Sequence, residues 1–246
     1  MILIPAIDLH DGQCVQLQRG LLDTATIYDN DAGRLAEHWI EQGAQRLHVV
    51  DLDGAFSGQS ENNQSIRAII QAAGDTPVQL GGGIRDMTAV STWIDAGIAQ
   101  VCIGTQAIED FDFFAAAAEQ YPNRIILALD ARGGFVSTRG WQTATNVSVR
   151  DVLVMCADLP LFAIVFTDIE SDGMMTGVNL KRTEQVLADT HIPVIASGGV
   201  RGIVDLENLL AINVNDRRVY GAISGSALYE KMLDFRRGVL VLKTHS

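Results

Sequence analysis

Two aspartates close apolar runs at matched places in the chain. Ile4-Pro-Ala-Ile-Asp8 and Ile126-Leu-Ala-Leu-Asp130 align with an offset of 130 − 8 = 122 residues. A carboxylate at the end of a buried strand faces whatever lies beyond that strand. One such residue reads as a loop cap. Two at repeat-equivalent positions fit paired acid and base work on one small molecule.

Two glycine sets accompany them. Pro77-Val-Gln-Leu-Gly-Gly-Gly-Ile-Arg85 has a twin in Pro193-Val-Ile-Ala-Ser-Gly-Gly-Val-Arg201, offset 193 − 77 = 116. Gly82 and Gly83 join Gly104 and Thr105 in the first half. Gly198 and Gly199 join Gly225 and Ser226 in the second, with Gly177 at the end of the preceding loop. Bare backbone lets a phosphate reach main-chain N–H groups, and one hydroxyl completes each set. Glycine also serves tight strand-to-helix turns, and for the first set alone the two readings weigh evenly. Two cradles on one mouth predict a substrate with a phosphate at each end. Trp141, in a long loop, either stacks on a flat ring or anchors its own loop. Asp172, before Gly173, either binds a hydroxyl or assists proton transfer, or serves a plain turn. His38 and His48 read as structural, and His10 has no evident partner.

The elements that must hold these residues repeat as well. Strand-like runs at residues 2–8, 47–51, 77–80 and 101–103 recur at 125–129, 163–167, 194–196 and 219–224. Helical spacing follows at 32–42, 65–73, 88–96 and 111–121, then at 149–157, 180–188, 204–212 and 228–242. Long polar loops are expected at 10–30 and 132–147. Eight strands alternating with eight helices predict a single α/β domain over 1–246. It is a (β/α)₈ TIM barrel built from two similar half-barrels, about 1–122 and 123–246. A doubly wound open sheet is the rival architecture. In a ring of eight, strands one and five stand opposite, so Asp8 and Asp130 should face each other across the mouth.

Composition narrows the classes. A formal net charge of −12 argues against general nucleic-acid binding, so phosphate binding must come from local geometry. No run approaches the ~20 apolar residues of a membrane span. The apolar start lacks a basic leader region, and a cytoplasmic monomer is expected. Cys14, Cys102 and Cys156 have no metal or redox spacing and read as buried thiols. No cluster has metal-ligand spacing, and no cofactor is implied.

Pro5-Ala-Ile-Asp8, His48-Val-Val-Asp-Leu-Asp-Gly-Ala55, Gln79-Leu-Gly-Gly-Gly-Ile-Arg85, Gly140-Trp141, Thr167-Asp168-Ile169, Asp172-Gly173, Ala196-Ser-Gly-Gly-Val200 and the run from Gly225 to Tyr229 resemble one family nearly end to end. It is the phosphoribosylformimino aminoimidazole carboxamide ribotide isomerases of histidine biosynthesis. The resemblance implies a cofactor-free Amadori rearrangement of an aminoaldose ribotide to the aminoketose. It casts Asp8 as general base and Asp130 as general acid. Thr167 and Asp172 would assist near the opening sugar, Trp141, Arg19 and Arg139 would contact substrate, and the two glycine sets would hold its phosphates.

Three positions depart from the family pattern. Gln16 precedes Leu17 where an arginine is usual, with Arg19 three residues on. Met174 stands where threonine is common. Arg139 resembles the bifunctional relatives that also isomerise phosphoribosylanthranilate. Two other readings compete. A related cyclase working with a glutaminase would need a lysine-rich first strand, which Ile2-Leu3-Ile4 does not supply. A paralogue that binds phosphosugars without turnover would rest on Gln16 and Met174.

Overall fold

The computed structural model describes residues 1–18, 21–172 and 177–244. Its barrel strands are β1 (Ile2–His10), β2 (Leu47–Asp51), β3 (Val78–Gly81), β4 (Gln100–Ile103), β5 (Ile125–Arg132), β6 (Ala163–Asp168), β7 (Val194–Ser197) and β8 (Gly221–Ser224). Each pairs in parallel with its neighbours in sequence, and β1 pairs β8 through Ile2↔Gly221 to Pro5↔Ser224. That last pairing closes the ring and excludes the open sheet, leaving a (β/α)₈ barrel.

Short apolar strands form here because both faces are covered, which suits parallel sheets. The outer faces pack on helices through Leu47, Val49, Leu80, Ile125 and Leu127, all fully buried. A smaller cluster fills the barrel interior: Ile4, Ala6, Cys102, Ile126, Ala163, Val165, Ile195 and Ile223. Its upper members Ala6, Cys102, Val165 and Ile223 form the floor of a cleft at the strand C-termini. At the opposite end the buried Arg46 guanidinium lies 4.6 Å over the Phe162 ring and bonds Gln100.

The helices fall where the periodicity places them, as at Ala32–Glu41, Asn63–Ala73 and Leu180–Asp189. Three expectations change. Both long loops are antiparallel hairpins. Gln13–Gln18 pairs Leu21–Asp29 beyond β1, and Phe135–Thr138 pairs Thr143–Ser148 beyond β5. The barrel strands run on past the mouth, and each supplies an edge for its own hairpin: Asp8↔Val15 in one, Ala131↔Val136 in the other. The segment after β2 is helical over Leu52–Ser57, with Asp51 accepting from the Gly54 N–H. The closing helix is split into Ser226–Tyr229 and Phe235–Thr244. Cys14, Cys102 and Cys156 are free and buried, and burial pushes each thiol up to about 12, so all are protonated at neutral pH. Among the described residues no helix is long and apolar enough to cross a membrane.

Candidate active site

Strand geometry aims the key carboxylates. Along β1, Ile7 and Leu9 are fully buried beneath helices while Asp8 turns inward to the mouth. On β5 Leu129 and Ala131 face outward and Asp130 inward by the same alternation. Thr167 of β6 lies level with Asp130 in the ladder. Asp172 enters from the turn after β6, its N–H donating to the Asp168 carbonyl at 3.0 Å. All four line one cleft together with Trp141, Arg139, Gly82, Gly83, Gly104, Thr105, Gly198, Gly199, Gly225 and Ser226. Gly177 stands one step behind, its carbonyl packed against Gly199. Arg19, Gly173 and Met174 lie outside the described residues.

The electrostatics separate the carboxyls. Burial, then the negative charge of Asp172, pushes the Asp8 carboxyl up to about 7. Burial, then Asp130, pushes Asp172 up to about 6. Burial also raises Asp130, but hydrogen bonds donated by Thr167 and Trp141 pull against it. Desolvation and like charge both penalise ionisation, whereas donors to a carboxylate favour it. Asp8 and Asp172 therefore titrate near neutral pH, and Asp130 is raised from its ordinary value.

The glycines serve both roles weighed from sequence. Gly82 and Gly198 have φ of +94° and +85°. A Cβ on Gly198 would sit 2.8 Å from the Asp168 carbonyl oxygen, and one on Gly82 would overlap the Asp51 carbonyl. Tight turns thus demand glycine at both places, and the same turns present bare backbone to the cleft. Arg139, Gly140 and Trp141 also lie at positive φ, with Gly140 packed on the Phe56 ring. This bend swings the indole back over the mouth to reach Asp130. Arg139 points the other way. Its guanidinium makes two 2.8 Å bonds to Glu109.

The structure brings in residues that sequence reasoning set aside. His48 lines the cleft instead of packing in the core. Its Nδ1 is 2.8 Å from the Gln79 side-chain nitrogen, and burial lowers it to about 4, so it is neutral. The signal was available, since His48 shares its strand face with Val50 and not with Leu47 or Val49. Arg85 also lines the cleft and donates to the Ala55 carbonyl. His10 does have a partner: its Nδ1 lies 2.5 Å from Asp53. That pair, with Asp11, is the one group among the described residues with metal-ligand proximity, and it lies outside the cleft.

Fold and cleft together define a (β/α)₈ barrel with three perturbed carboxyls and two glycine turns at its mouth. Residues 2–234 match the family model described as histidine biosynthesis protein, and the chain belongs to that family. It is 46% identical over 238 residues to a protein of Alcanivorax borkumensis, covering 97% of this chain and 96% of the relative. A Bordetella pertussis protein is 48% identical over 237 residues, covering 96% of each. One from Cupriavidus necator is 47% identical over 236 residues, covering 96% of this chain and 94% of the relative. All three are named 1-(5-phosphoribosyl)-5-((5-phosphoribosylamino)methylideneamino) imidazole-4-carboxamide isomerase.

Proposed function

We propose that this chain catalyses the isomerisation for which its relatives are named, the Amadori rearrangement of the bisphosphorylated aminoaldose ribotide to the aminoketose. The observation that carries the reading is one cleft lined by both Asp8 and Asp130 and by both glycine sets. The sets match a ligand with two phosphates, and the carboxyls match chemistry between them.

Asp130 acts from its protonated form, which burial favours. It gives its proton to the ribose ring oxygen as the C1–O bond opens, leaving an iminium. Asp8, ionised, removes the proton on C2. The enolamine that results becomes the aminoketone when C1 takes up a proton and the C2 hydroxyl gives one up, so two protons enter, two leave and no atom is gained or lost. A base held at about 7 suits this task, because it is ionised in part at neutral pH yet strong enough to take a carbon-bound proton. Thr167 and Trp141 steady the Asp130 carboxylate after it has given up its proton. Asp172 keeps the Asp8 affinity for protons high. Neutral His48 offers a hydrogen bond without adding charge.

On this reading the cleft takes a diffusible small-molecule substrate. Arg139 is held by Glu109 at the rim, which favours a dedicated isomerase over one that also takes phosphoribosylanthranilate. The test is a steady-state assay on the aminoaldose bisphosphate beside one on phosphoribosylanthranilate. Turnover of the first alone is expected, and Asp8→Asn should lower kcat by about 10²–10⁴-fold with KM little changed. Undiminished turnover in that variant would sink the mechanism.

A further inference from the structure

The two hairpins beyond the barrel mouth do the same thing to the two cradle hydroxyls. In the second half, the Arg139 backbone N–H donates to Thr105 Oγ1 at 3.0 Å. In the first, the Gln16 side-chain amide donates to Ser226 Oγ across a separation of 210 residues. Thr105 follows β4 and is reached from the hairpin of β5. Ser226 follows β8 and is reached from the hairpin of β1. The rings of contact are equivalent, but one uses backbone and the other a side chain.

The orientation of the Gln16 amide is fixed by a second neighbour. Its Nε2 also faces the Leu17 carbonyl at 3.4 Å, and a carbonyl oxygen can only accept. The N–H group is therefore the one at Ser226, and the serine oxygen accepts. A hydroxyl that accepts from Gln16 keeps its own proton to donate elsewhere. Gln16 Oε1, meanwhile, is buried and has no hydrogen-bond partner among the described residues, with the Gly225 backbone close by. A buried acceptor left unpaired costs stability unless a ligand fills it.

We propose that Gln16 is a positioning and specificity residue of the cradle formed by Gly225 and Ser226. Its amide turns the Ser226 hydroxyl proton toward a phosphate oxygen, and its free Oε1 accepts from a hydroxyl of the sugar that carries that phosphate. The proposal rests on the bisphosphate reading above and names the group that recognises one end. It makes Ser226 and Gln16 a coupled pair, and Thr105 an independent one.

The test is a double-mutant cycle of Gln16→Met and Ser226→Ala, read by calorimetric titration with inorganic phosphate and by KM and kcat. Gln16→Met should weaken phosphate binding and raise KM about tenfold, with kcat within about threefold, the loss of roughly one charge-assisted bond. In the Ser226→Ala background its effect on phosphate binding should vanish, and in a Thr105→Val background it should persist in full. Thermal stability should hold, because methionine removes an unpaired buried oxygen; a merely structural Gln16 would lower the melting point and leave phosphate binding unchanged. Should Gln16→Met not fold, Gln16→Glu keeps the shape, replaces the donor by an oxygen, and should lose at least as much phosphate affinity. Unchanged phosphate affinity and KM in a folded variant, or additive losses with Ser226→Ala, overturns the proposal. A wild-type chain that binds phosphate but does not isomerise the aminoaldose would instead refute the function above, with the phosphate cycle still deciding the role of Gln16.

Discussion

Asp8 and Asp130 occupy equivalent places, yet they are equipped differently. Asp130 receives bonds from Thr167 and Trp141, which favour its charged form against burial. Asp8 is pushed the other way twice, by burial and by Asp172. On β2 neutral His48 lines the cleft, while Val165 holds the matching position on β6. Matched strand ends thus supply two carboxyls in different surroundings: donors stabilise Asp130 once it has lost a proton, and burial with Asp172 makes Asp8 a stronger base. The supporting network repeats more faithfully. Asp51 and Asp168 each accept a 2.7 Å bond from an asparagine, Asn62 and Asn179, that stands at the start of a helix. The halves agree in this network and differ around the two carboxyls.

That contrast breaks most sharply in pH profiles. If the two carboxyls have separate tasks, kcat/KM of the wild type should fall below about pH 7 as Asp8 gains its proton. A general acid at Asp130 should add an alkaline limb. Asp8→Asn and Asp130→Asn should each lose about 10²–10⁴-fold in turnover, and the residual activity should lack the acid limb in the first and the alkaline limb in the second. Identical residual profiles would mean that the carboxyls are interchangeable.

A smaller effect concerns stability. The fold disfavours ionised Asp8, so the stability present below its ordinary value of 3.8 is lost as pH rises through about 7. Asp8→Asn should therefore be more stable than the wild type at pH 8, by about 2–4 kcal/mol, with the gap closing toward pH 4. Denaturant melts at pH 4, 6 and 8 measure it, and a gap that does not change with pH would mean that ionisation of Asp8 is not its source.

The smallest difference lies in the supporting network. Asn62 bonds Asp51, Asp53 and the Leu9 carbonyl and accepts from the Gly12 N–H. Asn179 bonds Asp168 and accepts from the Arg182 N–H. Asn62→Ala should cost about 2–3 kcal/mol and Asn179→Ala about 1 kcal/mol. Equal losses in chemical denaturation would show that the extra bonds of the first half contribute nothing.

Much of this protein is set by local pattern. Short apolar runs that end in Asp8, Asp51, Asp130 and Asp168 fix the strands and their ends, because a run covered on both sides must be apolar and must stop where water begins. The glycine twins fix the turns, because the chain at Gly82 and Gly198 passes too close to a neighbouring carbonyl for any side chain. The near-equal offsets between halves place the carboxyls opposite each other once a ring is assumed. What periodicity does not carry is what meets across that ring. Hairpins at residues 13–29 and 135–148 form only because β1 and β5 overshoot the barrel and lend them an edge. His48 faces the cleft because ring closure decides which side of β2 is inside. Gln16 reaches Ser226 only because β1 closes onto β8, and Arg139 reaches Thr105 only because β4 lies against β5. Those contacts join residues far apart in the chain, and their partners are chosen by barrel geometry and not by spacing.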